Sequence, residues 1–182
     1  MNRGELCFIE DVFYEKYKNY GLLVNKESLD GEKHRSPCCY SFKLENDESN
    51  ILWMIPVSSQ IDKYQKEYKK SMDKYGLCDN ISFGYILGRP VAFLPQNLFP
   101  VTEKYISGLY FDKNTNLPIK IPNDLCAELN AKARKKVRYN QKGKPFGMSD
   151  VITIYDELVN EMKENSNKIK DKFRQSVSNE IC

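Results

Sequence analysis

The chain has 182 residues, of which 41% are hydrophobic and 12% aromatic, and its formal net charge at pH 7 is +3. A chain of this size and composition can bury the core of one ordinary domain, which excludes an intrinsically disordered protein. The small net charge does not by itself indicate a nucleic-acid partner, so that question depends on where the charges lie.

In the first half of the chain, apolar patterning predicts three strands and two helices. The predicted strands cover residues 5–9, 38–44 and 51–57, and the last two are expected to pair across a turn at 46–50. Apolar residues at helical spacing predict helices over 10–20 and 60–75, which Gly21 and Gly76 can end. The polar stretch 25–37 is predicted to be a loop.

The second half predicts shorter strands and two further helices. Strands are expected over 81–87 and 91–94, joined at Gly88-Arg89-Pro90, and over 117–121, with no clear pattern at 97–101 and 109–112. Helices are expected over about 123–139 and 149–165. This order favours an α+β fold with a twisted, mainly antiparallel sheet flanked by helices. We expect a single domain over 1–166 and a flexible polar tail over 167–182.

The cysteines and the chain termini bear on metal sites and cellular compartment. The six cysteines form no C-x-x-C pair and His34 is the only histidine, so the sequence predicts no zinc site and no other cofactor. Neither a signal peptide nor an apolar run of membrane-spanning length is present, so no membrane contact is expected. We therefore expect reduced thiols and a cytoplasmic protein.

The first candidate site is the pair Ser58 and Ser59, where an apolar strand leads into a helix. Helix N-termini present free N–H groups and bind phosphate, and Lys63 adds a nearby cation. Two hydroxyls there suit a scissile phosphodiester. The alternative is that one of the two serines is simply a helix cap.

A second candidate lies in the polar loop before the strand at 38–44. His34 can move a proton near neutral pH, and Arg35 can contact phosphate with two hydrogen bonds. The alternative is a solvated loop with incidental charges. Cys38 and Cys39 are expected to be inert core thiols, because no base is placed beside them.

Two cationic stretches complete the candidates. Seven cations fall within thirteen residues, without a carboxylate among them, as expected for phosphate contacts; the alternative is a solubilising face. They are Lys132, Arg134, Lys135, Lys136, Arg138, Lys142 and Lys144. The helix over 60–75 also combines lysines with tyrosines, as in base-stacking grooves, but its spacing favours an amphipathic helix with the tyrosines packed inward.

Several catalytic motifs are absent from the sequence. It contains no G-x-x-x-x-G-K-[ST], G-x-G-x-x-G, H-E-x-x-H or G-x-S-x-G motif. No pair of carboxylates is placed to hold two metal ions. For a nuclease, this favours a mechanism that uses side chains alone.

The segment 51–64, followed by 80–88 and 92–97, resembles the ToxN/AbiQ toxins of type III toxin–antitoxin systems, and is most similar to the CptN branch. The similarity extends over about 6–158, and the apolar strand ending in Pro-x-Ser-Ser is its clearest motif. It implies a sheet related to the MazF/Kid toxins, with a barrel-like core. It also implies an endoribonuclease that needs no metal and leaves a 2′,3′-cyclic phosphate and a 5′-hydroxyl.

The resemblance also implies partners and site residues. The implied partner is a small pseudoknot antitoxin RNA, which the toxin processes and which inhibits it. Toxin and RNA are expected to form a closed cyclic assembly with two or three copies of each. Cellular or phage RNAs are the expected substrates. The family's hydroxyl pair matches Ser58 and Ser59, but Gln60 and Ile61 follow where the family often has a lysine, so the catalytic cation stays open between Lys63 and Arg35. His34 is the expected acid or base, and Tyr40 and Gln60 are further expected RNA contacts. A non-catalytic RNA-binding protein and a protein-interaction module are the alternatives.

Overall fold

The secondary structure is known from a computed structural model that describes residues 1–23, 36–43, 50–144 and 150–180, with residues 170–180 described by their backbone alone. The helices are α1 Asp11–Lys16, α2 Ile61–Tyr75, α3 Asn123–Gln141 and α4 Val151–Glu180. The strands are β1 Leu6–Ile9, β2 Cys38–Lys43, β3 Leu52–Ser58, β4 Ser82–Ile86, β5 Arg89–Phe93, β6 Phe99–Val101 and β7 Ile106–Leu109. Single 3₁₀ turns lie at Lys18–Tyr20, Pro95–Asn97 and Glu103–Tyr105.

Strand β3 is the centre of the sheet. Within the described ranges, seven strands pair antiparallel in the order β4-β5-β3-β2-β1-β7, and β6 also pairs with β3. One edge of β3 pairs with β2, whereas the other pairs with β6 near Trp53 and with β5 at Val57 and Ser58. The predicted α+β domain with a mainly antiparallel sheet is therefore confirmed. The sheet is open over these residues, with β4 and β7 at its ends, so the expected barrel core is not found.

Helix α2 packs through its aromatic face onto β5. Tyr64 is buried, and the ring of Tyr68 packs edge-on against Phe83 at a centroid distance of 5.5 Å. Gly76 ends the helix in the left-handed conformation, at φ 68°, and its N–H donates to the carbonyl of Met72 at 2.8 Å. Glycine adopts this conformation without steric cost. The tyrosines of α2 therefore belong to the core, as the amphipathic interpretation predicts.

A stack of four planar groups joins α3 and α4 through the sheet. The Arg134 guanidinium lies 4.7 Å from the centre of the Phe42 ring, and Phe42 stacks on Trp53 with ring centroids 6.1 Å apart. Trp53 in turn stacks on Tyr155 of α4 at 6.0 Å. Such contacts add to the free energy gained by burying the rings. The stack lies near the start of β3, far from Ser58.

Three elements differ from the sequence predictions. Strand β7 was not predicted, because it is short and contains Gly108. The predicted strand at 117–121 is wrong: only isolated bridges occur there, from Pro118 to Phe111 and from Lys120 to Glu5. The predicted end of the last helix near residue 165 is also wrong, because α4 continues to Glu180. The boundary between domain and tail stays a prediction.

Gly84 allows β4 to approach α3, and we expect its replacement to destabilise the fold. A methyl group at this position would lie 2.6 Å from Cδ2 of Leu125 and 3.2 Å from Cε2 of Phe93. Gly84→Ala is expected to lower the free energy of unfolding by about 1–3 kcal/mol, the usual cost of overpacking. Gly108→Ala is the control, since a methyl group there meets no atom within 4 Å. Urea denaturation measures both; equal midpoints would contradict the close packing.

Candidate functional site

A cleft of about 580 Å³ opens beside the end of β3. Four segments of the chain meet in it: the approach to β2, the end of β3 with the residue that follows, the β4–β5 hairpin, and the loop after β7. The described lining residues are Ser36, Pro37, Val57, Ser59, Ile86, Leu87, Arg89, Pro90, Val91, Tyr110 and Lys113. The cleft is the candidate functional site because it joins Ser59 to polar groups from distant parts of the chain.

The β4–β5 hairpin places Arg89 at the cleft. Leu87 and Gly88 have φ angles of 51° and 75°, as the two central residues of a type I′ turn require, so Ile86 pairs directly with Arg89. The turn lies one residue earlier than predicted, and Arg89 begins β5 instead of lying in the turn. Its side chain is exposed, whereas Ile86 and Val91 beside it are buried. The hairpin thus supplies a cation, Arg89, next to the buried apolar side chains of Ile86 and Val91, which form the apolar floor of the cleft.

The backbone fixes the other walls of the cleft. The N–H of Val57 donates to the carbonyl of Pro37 at 3.1 Å, which ties the approach to β2 to the end of β3. The N–H of Tyr110 donates to the carbonyl of Leu6 at 2.8 Å. Its ring packs on Phe8 at a centroid distance of 5.1 Å. The phenol is therefore held by packing and backbone bonds, and Lys113 follows it on an exposed turn.

The described lining of the cleft is positively charged. Arg89 and Lys113 line it, and no carboxylate occurs among the lining residues that the structure describes. Ser36, Ser59 and Tyr110 add hydroxyl groups that can donate or accept hydrogen bonds. Two cations with hydroxyl donors over an apolar floor suit an anionic ligand that also carries flat apolar groups.

The two serines of the first candidate site have different environments. Ser59 is exposed and lines the cleft. Ser58 Oγ instead accepts a hydrogen bond from the N–H of Gln60 at 3.2 Å. Gln60 is the N-cap position of α2, so neither serine occupies it, and no side-chain hydrogen bond caps the helix. The simple capping alternative for this pair is therefore wrong.

The other predicted residues of this region lie apart from the cleft or outside the description. Lys63 is exposed on α2, with its ammonium 5.0 Å from the centre of the Tyr64 ring, and it is not among the described lining residues. Tyr40 was predicted to contact RNA, but its side chain is only 7% exposed within the core, where RNA cannot reach it. His34 and Arg35 lie outside the described residues.

The predicted cationic stretch is largely engaged within the protein. Lys132 pairs with Glu128 at 2.7 Å and also donates to the carbonyl of Ile81, and Lys135 pairs with Asp79. Arg134 belongs to the stack on Phe42. The expectation that no carboxylate neutralises these cations is therefore wrong for Lys132 and Lys135. Arg138 and Lys142 are exposed on α3 and just after it, and their contact with RNA stays a prediction.

Lys136 is the most unusual of these cations, because its side chain is only 1% exposed. Its ammonium donates to Oδ1 of Asn80 at 2.7 Å. Burial lowers the pKa of Lys136 to about 7, although the nearby Asp79 carboxylate acts in the opposite direction. A lysine so enclosed contributes to the packing of α3, and its predicted contact with RNA is wrong.

Sequence reasoning missed Arg89, Tyr110 and Lys113. Arg89 was assigned to a turn, because Leu87-Gly88 is not one of the dipeptides that typically signal a two-residue hairpin, and only the pairing of Ile86 with Arg89 shows that the strand begins there. Tyr110 and Lys113 follow β7 and reach the cleft only because β7 pairs with β1. No local pattern signals that arrangement.

The remaining cysteines, possible metal ligands and helices do not form a second candidate site among the described residues. Cys38 is buried, as expected of a core residue, and burial raises the pKa of its thiol to about 12. Among the described residues there is no cluster of three His, Cys, Asp or Glu side chains suited to a metal ion. In that same part of the chain, no helix has the length and apolar character that crossing a membrane requires.

Comparison with known proteins adds no further assignment. No family model matches the chain, and no curated protein matches it significantly.

Proposed function

We propose that the cleft binds an RNA strand and cleaves one of its phosphodiester bonds. The observation that carries the proposal is that Arg89, Lys113 and Ser59 line the same cleft, without a carboxylate among the described lining residues. A phosphodiester is an anion that such a site attracts, and Tyr110 with the apolar floor offers a surface for a base. This supports the endoribonuclease activity implied by the resemblance to ToxN/AbiQ toxins.

The proposed reaction is an internal transesterification. The 2′-oxygen loses its proton to a base and bonds to phosphorus, while the bond from phosphorus to the 5′-oxygen breaks and that oxygen takes up a proton. The products are a 2′,3′-cyclic phosphate and a 5′-hydroxyl. The main requirement is to stabilise the negative charge of the phosphorane, which cations and hydroxyl donors already fixed in place can do.

Each lining group has a proposed role in this reaction. Arg89 holds two phosphate oxygens through its planar guanidinium, and Ser59 donates a hydrogen bond to one of them. Lys113 supplies the second cation, a role for which the sequence had suggested Lys63 or Arg35. His34, two residues before Ser36 in the sequence, keeps its proposed role as acid or base.

The wider biology is proposed on the same basis. A small folded RNA that occupies the cleft would inhibit the enzyme, as an antitoxin RNA does in type III systems. The described cysteines are all free thiols, as expected of a protein that acts in the cytoplasm.

The serine pair offers a test with its own control. Ser59→Ala is expected to slow RNA cleavage about 10²-fold, because it removes a hydrogen-bond donor to the transition state. Ser58→Ala should have a much smaller effect, since that hydroxyl accepts from the N–H of Gln60 and does not line the cleft. Cleavage is followed as the appearance of cyclic-phosphate ends on labelled RNA. Normal rates in both variants would contradict this site, and RNA binding without cleavage by the wild type would select the non-catalytic alternative.

A further inference from the structure

Helix α2 carries a stripe of lysines on the side opposite its buried face. The stripe consists of Lys63, Lys66, Lys70 and Lys74, all exposed. At 100° per residue these positions fall within about 80° of arc, a narrow band along the helix. Tyr64 and Tyr68 mark the opposite face, which packs on the sheet. The stripe therefore faces solvent along most of the helix.

The charges of the lysine stripe are not used for folding. Among the described residues, no ion pair joins any of the four lysines to a carboxylate, in contrast to Lys132 and Lys135 on α3. The ammonium groups of Lys63 and Lys74 lie 5.0 and 4.9 Å from the ring centroids of their sequence neighbours Tyr64 and Tyr75. Asp62, Glu67 and Asp73 also lie on α2, but within the described ranges none of them forms an ion pair with a lysine of the stripe. Like charges four residues apart destabilise a helix, so the spacing of Lys66, Lys70 and Lys74 does not itself stabilise α2.

The lysine stripe begins beside the cleft. Ser59 lines the cleft, and α2 begins two residues later, at Ile61. With its 15 residues the helix is about 22 Å long, so the stripe extends well beyond the cleft. A polyanion that leaves the cleft along α2 would therefore meet a line of exposed cations.

We propose that the lysine stripe of α2 binds the phosphate backbone of the RNA that continues out of the cleft. The inference rests on the proposed function of the cleft and adds the substrate class: a single strand several nucleotides longer than the cleaved step. A membrane surface fits less well. Helices that lie in a membrane interface insert a free apolar face, and here Ile61, Tyr64 and Tyr68 pack against the protein.

The test compares two triple variants that each remove three exposed cations. The first is Lys66→Gln with Lys70→Gln and Lys74→Gln; the matched control is Lys120→Gln with Lys163→Gln and Lys168→Gln, three exposed lysines that are neither in the described lining of the cleft nor among the predicted RNA contacts. The probe is single-stranded RNA methylated at its 2′-oxygens, which cannot be cleaved. Lengths of about 16 and about 4 nucleotides are used, the range of common single-strand sites. Circular dichroism is used to check that both variants are folded.

The readout is the slope of log affinity against log salt concentration. For the long RNA, the α2 variant is expected to lose about 2 units of slope, because each lysine contact with a single strand contributes about 0.7. The short RNA and the control variant should change little. An unchanged slope in the α2 variant, or an equal loss in the control, would overturn the proposal. So would a variant that loses affinity for phosphatidylserine vesicles but keeps its affinity for RNA.

The probe also separates this proposal from the proposed function. Because the RNA cannot be cleaved, binding to α2 is measured whether or not the cleft is catalytic. If Ser59→Ala cleaves normally while the α2 variant loses salt-dependence slope, the proposed cleavage site is contradicted and the proposed role of the lysine stripe is supported. If Ser59→Ala is inactive while the α2 variant binds normally, the proposed cleavage site is supported and the proposed role of the lysine stripe is contradicted. A wild-type protein without affinity for RNA would overturn both.

Discussion

Replacing Arg89 by alanine is expected to slow RNA cleavage by about 10²–10³-fold, the usual loss when a preorganised group that stabilises the transition state is removed. Arg89 begins β5 opposite Ile86, and the rigid two-residue turn fixes its position at the cleft. Its guanidinium can hold two phosphate oxygens as negative charge develops on them. The measurement is the single-turnover rate on labelled RNA at saturating protein, which separates cleavage from binding.

Two further variants make the Arg89 experiment specific. Arg89→Lys keeps the charge but loses the planar pair of donors, so an intermediate rate is expected. Arg138→Ala removes an exposed arginine of α3 that is not in the described lining of the cleft. Its predicted contact with RNA would affect binding, which saturating protein compensates, so cleavage should proceed at nearly the wild-type rate. Equal rates for Arg89→Ala and the wild type would remove Arg89 from the mechanism.

The buried Lys136 is expected to make stability depend on pH. Its pKa is about 7 in the folded protein and near 10.5 in the unfolded chain. Below pH 7 both states hold the proton, and the cost of burying the charge is fully present. Between pH 7 and 10.5 only the unfolded state remains protonated, so the free energy of unfolding should rise with pH. The rise attributable to Lys136 is at most about 5 kcal/mol, since one pKa unit corresponds to about 1.4 kcal/mol.

Lys136→Met tests this assignment by removing the titrating group while keeping a similar volume. The free energy of unfolding of the variant minus that of the wild type should be larger at pH 6 than at pH 10. The free energy of unfolding of the variant itself should rise less between these two pH values. Lys135→Met is the control, because Lys135 is 45% exposed and pairs with Asp79 at the surface. Urea unfolding at a series of pH values measures the difference. Parallel curves for the wild type and Lys136→Met would show that this lysine does not titrate in the window.

The local patterns predicted the central part of the molecule well. The continuous apolar run became β3, paired with β2, and the spacing of Tyr64, Tyr68 and Met72 predicted α2 to within one residue. Ser59 follows from these two elements, because it lies where the strand ends and just before the helix begins. This part of the site could be predicted since hydrophobic periodicity fixes both elements that flank it.

The remainder of the site depends on contacts between distant segments. Lys113 reaches the cleft through the pairing of β7 with β1, which no sequence spacing reveals. The pairing of Lys135 with Asp79 spans 56 residues and was equally hidden. Glu128, by contrast, stands four residues before Lys132, a spacing that predicts an ion pair on a helix. Counting cations without their flanking residues overstated the charge available on α3.

The stack of Arg134, Phe42, Trp53 and Tyr155 gives the protein a built-in optical reporter. Trp53 is the only tryptophan of the chain, and it is 1% exposed between two aromatic rings. Its fluorescence therefore reports on how α3 and α4 are held to the sheet. The extended chain from Trp53 to Ser59 covers about 20 Å, so an RNA in the cleft lies far from the indole. Tryptophan emission should thus follow global unfolding while staying silent during RNA titrations, for which labelled RNA is the proper signal.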